Sequence, residues 1–386
     1  MKGVTMAFTY YFNVSSICLI PGFDTCMVNE YAYHGFAPKE EDGQLWFSLD
    51  DFRTIYAKVY AFAMESETVS VSDGKRTIQV PVFWKGTPVI DLRLILLSLG
   101  YHELTKDSPE FNHLILFTKE ENVTVFPREM MFRMDTLKRG KPNGDQYELF
   151  WFADGEKLVP YRIYLPTDYS RGRKYPVVFY LHGGNGGPGQ GFEKSHNDLQ
   201  YYAEKEGFAV VGVDGFIKDA TYGYKLFPNP GDPRTDYDCP ENPAHYSDEF
   251  LKGIHLGELC LEETIKVIQQ RYAVDPDHMF LMGNSMGGEG TFYFAGTHPG
   301  MFKAISPAGA MVNTKLTDLS GLKDTPILFV GGTEDFHGFS YLQEGVEFME
   351  SIGLDIHHVY IGGGSHGDAW AKAIPETFAF FKKYCQ

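Results

Sequence analysis

The stretch His278-Met-Phe-Leu-Met-Gly-Asn-Ser-Met-Gly-Gly-Glu-Gly-Thr291 decides how the rest of the chain is read. Its first half is a short apolar run of the kind a fully buried strand needs. Its second half is a cluster of small residues opening an apolar segment of helical period. Ser285 lies between them. Gly283-Asn-Ser-Met-Gly287 matches G-x-S-x-G, in which a sharp strand-to-helix turn holds a serine in a strained backbone conformation with its hydroxyl clear of the sheet. Gly288 and Gly290 let the following helix lie close to neighbouring strands, and its N-terminus places positive potential beside a developing oxyanion. In a chain with 41 glycines the motif can also arise by chance, as a solvated turn. The strand before it and the helix after it favour a nucleophile.

Outward from this stretch, short apolar runs alternate with helical segments: Val177–Leu181, Phe208–Val213, Met279–Met282, Ala304–Ser306, Ile327–Val330 and His358–Ile361. Near-continuous apolar strands separated by helices imply an α/β fold with a mainly parallel sheet covered on both faces. A helix is expected from about Ile254 to Tyr272, with Leu256, Leu259, Cys260, Val267 and Ile268 on its buried stripe.

A serine hydroxyl is a poor nucleophile at neutral pH, so Ser285 needs a base, and the base needs an acceptor that fixes its tautomer. In a parallel sheet these groups belong on loops beyond the carboxyl ends of later strands, in the order Ser, acid, His. The run Ile327-Leu-Phe-Val-Gly-Gly-Thr-Glu-Asp335 sets two carboxylates beyond one strand, and His358-Val-Tyr-Ile-Gly-Gly-Gly-Ser-His366 sets an imidazole beyond the last. His366 is the expected base and Asp335 its orienter. Glu334 is the alternative carboxylate, and an adjacent acidic pair is often merely solvated. Two donors should face the oxyanion. One is the Met286 N–H, and the other comes from the loop His182-Gly-Gly-Asn-Gly-Gly-Pro-Gly189, where Gly183 or Gly184 leaves an amide open. That loop lacks the pattern of a phosphate cradle. His182 reads as structural.

These residues together resemble an α/β-hydrolase serine esterase, of the branch that includes polyhydroxybutyrate depolymerases, feruloyl esterases and prolyl oligopeptidase-type hydrolases. The resemblance rests on Leu181-His-Gly-Gly184, the run from Asp275 to Thr291, His298-Pro-Gly-Met-Phe-Lys-Ala304, Gly332-Thr-Glu-Asp335 and Gly364-Ser-His-Gly367, and covers about residues 147 to 386. It implies nucleophile, orienter and base roles for Ser285, Asp335 and His366. The chain departs from the family pattern before the acid, where Gly331 stands in place of a histidine.

From Asp214 to Gly253 runs a long segment rich in Tyr, Pro and Asp, and loops of that length in compact domains are usually functional or disordered. Tyr222, Tyr224, Phe227, Tyr237 and Tyr246 could wall an aromatic pocket, or the loop could be packed by its own side chains. Trp370, soon after His366, is a further pocket candidate, although core packing is the commoner fate of a tryptophan.

Residues 1–145 read as a smaller α+β accessory domain and 146–386 as the catalytic domain, with Lys138-Arg-Gly-Lys-Pro-Asn-Gly144 as linker. In the first region Leu45–Ile55 and Thr87–Leu97 each look like a strand running into a helix, with Phe47, Leu49 and Phe52 matching Ile90, Leu92 and Ile95. Asp73-Gly74 signals a hairpin, as does Asp154-Gly155. The pattern from Gly74 to Leu92, with Leu99-Gly-Tyr and Leu114-Ile-Leu-Phe, weakly resembles the N-terminal domain of copper amine oxidases.

Fifty-one acidic against 34 basic residues give a net charge of −17, which disfavours nucleic acid or an anionic membrane as partner. The five cysteines, Cys18, Cys26, Cys239, Cys260 and Cys385, have no metal-site spacing and indicate no disulfide framework, leaving room for one bridge at most. A cytoplasmic location is expected, because the N-terminal apolar run is broken by polar residues. The resulting expectation is a serine carboxylesterase that needs no metal or organic cofactor and acts on a small-molecule or glycan-linked ester. The aromatic segment points to hydroxycinnamoyl (feruloyl-type) acids. The alternatives are a prolyl oligopeptidase-type peptidase, against which residues 1–145 are too short for a propeller, and an inactive binding protein of hydrolase fold.

Overall fold

The sheet order beyond residue 160 follows from the apolar runs read above. The computed structural model describes residues 14–29, 31–35, 37–56, 61–65, 67–73, 76–108, 112–138, 144–216, 222–223, 248–310 and 319–385. Most of the linker segment lies outside these residues, as do Tyr224, Phe227, Tyr237 and Tyr246. The chain divides into two compact units, Met1–Pro142 with Tyr147–Pro160 and Asn143–Gln146 with Tyr161–Gln386.

The first unit contains β1 (Ser16–Leu19), β2 (Thr25–Val28), β3 (Tyr31–His34), β4 (Lys39–Glu41), β5 (Gln44–Ser48), α1 (Leu49–Tyr56) and β6 (Ala61–Glu65). It continues through β7 (Thr68–Ser72), β8 (Thr77–Pro81), β9 (Phe83–Trp84), β10 (Pro88–Asp91), α2 (Leu92–Ser98), β11 (His102–Ser108), β12 (Asn112–Thr118) and α3 (Arg128–Lys138). The next strand, β13 (Gly144–Phe152), runs parallel to β3, with Glu148 opposite Ala32. The expected duplication is present as two strand-to-helix turns, β5 into α1 and β10 into α2, whose strands pair antiparallel with Phe47 opposite Ile90. Phe47, Leu49, Phe52, Ile90, Leu92 and Ile95 all enter one core cluster. Asp91 caps α2, its carboxylate accepting the Arg93 and Leu94 N–H groups. The Asp73-Gly74 signal falls between β7 and β8, which pair with Ser72 opposite Thr77, although Gly74 lies outside the described residues.

The second unit is built on β14 (Lys157–Leu165) from Tyr161 onward, β15 (Tyr175–Leu181), β16 (Ala209–Val213), β17 (Val274–Asn284), β18 (Ala304–Ala308), β19 (Ile327–Glu334) and β20 (Ile356–Ser365). Their order is β14-β16-β15-β17-β18-β19-β20, and only β14 runs antiparallel. Among the described residues seven α-helices accompany them: α4 (Gln190–Lys194), α5 (Asp198–Glu206), α6 (Asp248–Arg271), α7 (Met286–Thr297), α8 (Phe339–Ser351), α9 (Ala369–Lys372) and α10 (Ile374–Lys383). Alternation along the strands sends successive side chains to opposite faces. Val178, Tyr180, Val210, Phe280 and Met282 meet Phe208, Phe378 and Phe381 from the α5 and α10 side. From the α7 side, Phe292 stacks on Phe329 of β19. Helices thus cover both faces, and the unit has the α/β-hydrolase fold.

The α6 helix differs from its sequence reading. It begins at Asp248, and its buried stripe runs through Gly253, Ile254, Gly257, Cys260, Leu261, Thr264, Ile265 and Ile268, with Leu256 and Leu259 only half-buried. Gly253 and Gly257 belong to the packed face. An apolar pattern cannot locate that face by glycine, and this turned the expected stripe toward the larger leucines. Among the described residues no helix is long and apolar enough to cross a membrane.

Candidate active site

Every chemically interesting residue of the second unit follows a strand directly. Ser285 comes after β17, Asp335 after β19, His366 after β20, and His182-Gly-Gly184 after β15. All four strands are parallel, so these residues share the carboxyl edge of the sheet.

Ser285 has φ 58° and ψ −124°, a conformation costly for a residue with a side chain. The surroundings over-determine it. Its N–H donates to the Ala308 carbonyl at 2.9 Å. A Cβ on Gly287 would stand 2.0 Å from the Leu181 carbonyl oxygen, and one on Gly288 would stand 2.5 Å from the Ala308 oxygen. The first turn of α7 is therefore wedged between β15 and β18, which only glycine permits. Gly290 faces Tyr222 instead, at 2.6 Å from a Cβ position to the ring.

His366 is oriented by its neighbours on the acid loop. Its Nδ1 lies 2.9 Å from Asp335 Oδ2, in hydrogen-bond geometry. Its Nε2 is buried and makes no hydrogen bond. The ring lies over Gly309, where a Cβ would approach it to 3.1 Å, and Gly309 follows the Ala308 carbonyl that receives the Ser285 amide. This puts the free face of the imidazole beside the elbow. The loop is held by Asp368, whose Oδ1 accepts the Ser365 N–H at 2.7 Å and the Ser365 hydroxyl at 2.9 Å.

Asp335 is 6% exposed, whereas Glu334 points to solvent, so the two adjacent carboxylates have different fates. Asp335 Oδ1 accepts the His337 N–H at 2.9 Å. Burial works to raise this carboxyl, but His337 and His366 outweigh it and hold the group well below the usual carboxylate range.

The two glycine amides left open by the sequence are distinguished by their partners. The Gly183 N–H donates to Gln190 Oε1 at 2.8 Å, while no acceptor among the described residues engages the Gly184 N–H. Met286 is the first residue of α7, so its N–H has no partner within the helix. A Cβ on Gly183 would sit 3.5 Å from the Ser285 Cβ, which sets this loop against the elbow. His182 is fully buried, with Nδ1 2.8 Å from the Gly183 carbonyl oxygen and Nε2 2.5 Å from that of Asp214. It ties the loop to the end of β16.

Two aromatic candidates take the packed alternative that the sequence left open, not the pocket role. Tyr222 is fully buried, its hydroxyl donating to the His182 carbonyl at 3.3 Å, so it is packing beneath the loop rather than an open wall. Trp370 is 2% exposed and packs against Tyr180, its indole N–H donating to the Gly367 carbonyl at 3.0 Å. It steadies the His366 loop from the core, where an indole buries more apolar surface than at a pocket rim. Tyr224 and Phe227 lie outside the described residues.

Three residues were missed by the sequence reading. Phe336 is 75% exposed, and its ring centroid lies 4.3 Å from that of His366 and 4.2 Å from that of His337. His337 meets the other oxygen of Asp335 at 3.3 Å, its ring edge-on to that of His366, and Gln190 occupies the Gly183 amide. The spacing Asp335-Phe-His337 is the signal of His337 in the sequence, and a triad needs no second imidazole there.

Residues 156–379, more than half of the chain, match the family described as "Putative esterase". Among curated proteins, "Putative esterase NocK" of Nocardia uniformis subsp. tsuyamanensis is 25% identical over 160 residues, which is 42% of this chain and 40% of that relative. Among solved structures, the fluorophosphonate-binding serine hydrolase FphF of Staphylococcus aureus is 15% identical and aligns with 62% of this chain and 99% of its own, at a TM-score of 0.47. The ferulic acid esterase AmCE1/Fae1A of Anaeromyces mucronatus is 16% identical over 62% of this chain and 89% of its own, at a TM-score of 0.44. With its strand-ending serine, aspartate and histidine on the edge of an α/β-hydrolase sheet, the chain belongs to the esterase family.

Proposed function

We propose that this chain is a serine carboxylic-ester hydrolase in which Ser285 is the nucleophile, His366 the general base and Asp335 the orienter. The observation that carries the reading is the state of His366: Nδ1 engaged by Asp335, Nε2 buried without a partner, and the ring packed over Gly309 beside the elbow. An imidazole held through Nδ1–H presents Nε2 as an acceptor. The Ser285 hydroxyl gives its proton to Nε2 as its oxygen attacks the ester carbonyl, and Asp335 stabilises the imidazolium that forms. The oxyanion then lies between the N–H groups of Met286 and Gly184. His366 returns the proton to the departing alcohol, and water repeats the sequence to release the acid.

The favoured substrates are aromatic acyl esters of the hydroxycinnamoyl type, on a small-molecule or glycan alcohol. Support comes from Phe336, a solvent-facing ring against His366 that offers an aromatic acyl group a stacking surface. Steady-state rates on hydroxycinnamoyl, acetyl and aryl esters, with amides alongside, test the reading. Ester turnover with kcat/KM highest for hydroxycinnamoyl esters is expected. Turnover of amides alone would overturn the ester assignment.

A further inference from the structure

One carboxylate carries two imidazoles on opposite oxygens. His366 Nδ1 lies 2.9 Å from Asp335 Oδ2, and His337 Nδ1 lies 3.3 Å from Asp335 Oδ1. A general base needs only one of these arrangements. The second leaves His337 Nδ1 buried without a hydrogen bond. Such an atom is costly in a folded chain unless something else engages it.

We propose that Asp335, His337 and His366 form an inhibitory site for a zinc-class divalent cation. One ligand atom from each residue falls within 4.8 Å of the other two. Ligands about 2.0–2.1 Å from a tetrahedral zinc ion are separated by roughly 3.3–3.4 Å, so the cluster needs side-chain adjustments of about an ångström or less per ligand to close around one ion. Two imidazoles and one carboxylate are also the donor set of open zinc sites, with water completing the shell. Phe336 covers both imidazoles yet is itself solvent-facing, so rotation of one exposed side chain opens the way in.

Inhibition follows from the tautomer and rests on the esterase reading above. A cation at Nδ1 of His366 moves that nitrogen's proton to Nε2, where the ring becomes a donor toward Ser285 and can no longer accept its proton. No net proton is lost, and removing the cation restores the base.

Two measurements separate binding from catalysis. In metal-free buffer, Zn2+ should abolish at least nine-tenths of wild-type ester hydrolysis, EDTA should restore it, and Mg2+ should have no effect. His337→Asn and His337→Phe, each measured against its own metal-free rate, should need at least about tenfold more Zn2+ for half-inhibition, as expected for loss of one ligand. Co2+ added to Ser285→Ala should give the visible absorption of a low-coordinate N/O site, and adding His337→Asn should remove it. That absorption requires no ester turnover, so it tests the site even if the esterase reading fails. Zn2+ sensitivity unchanged from wild type in both His337 variants, or a Co2+ spectrum indifferent to His337, would overturn the proposal.

Discussion

Asp335 Oδ2 engages Nδ1 of His366 at 2.9 Å, while its chain neighbour Glu334 points to solvent. Turning one of two adjacent carboxylates inward makes the pair non-equivalent. Asp335→Asn should lower kcat by up to about four orders of magnitude, because an amide favours the wrong imidazole tautomer. Glu334→Gln should stay within about twofold. Steady-state kinetics on one ester checks both, and a larger loss at Glu334 would exchange their roles.

The Gly183 amide is bound to Gln190 and the Gly184 amide is not. Gly184→Ala keeps its N–H and meets no atom within 4 Å, so kcat should change little. Gly184→Pro removes the donor, and kcat should fall by about 10²–10³-fold, the usual cost of one oxyanion contact. Circular dichroism on both variants separates this loss from misfolding.

The depressed Asp335 carboxyl links the site to stability. Its ionised form favours the folded chain above the unfolded value of about pH 3.9, and that contribution is lost as pH falls from there through the lower folded value. The Tm gap between wild type and Asp335→Asn should shrink as pH falls below about 4. Thermal melts across that range check it; a gap that widened in acid would contradict the assignment.

Phe336 is exposed against His366, which sets its expected effect. An aromatic contact is worth roughly 0.5–1.5 kcal/mol beyond its area, or up to about tenfold in rate. Phe336→Ala should lower kcat/KM for a hydroxycinnamoyl ester by that factor and change an acetyl ester by less than about twofold. Equal losses on both would make Phe336 a cover over the imidazoles and leave the aromatic preference unsupported.

The parallel sheet was legible because its central strands are buried, so they print as unbroken apolar runs such as Val177–Leu181 or Ile327–Val330. The elbow was legible because its glycines are forced by backbone contacts as short as 2.0 Å. Features that depend on which way a side chain turns were not. Pocket and packing were both open for Tyr222 and Trp370, which lie in the interior, while Phe336 gives no signal in the sequence and lies against the candidate base. The choice between Gly183 and Gly184 rests on Gln190, whose reach back to the loop leaves no trace in spacing. His337 was invisible for a related reason, since the sequence logic of acid followed by base has no place for a second imidazole on the same carboxylate.

The central claim is that Ser285 and His366 act as one catalytic unit, and kinetics of Ser285→Ala, His366→Ala and the double variant test it most directly. Each single substitution should remove most of kcat, by about 10⁶-fold where the unit behaves as in known triads, and the double variant should be little slower than either. Losses that multiplied in the double variant would mean that the two residues act independently, and the account of this site would then be wrong.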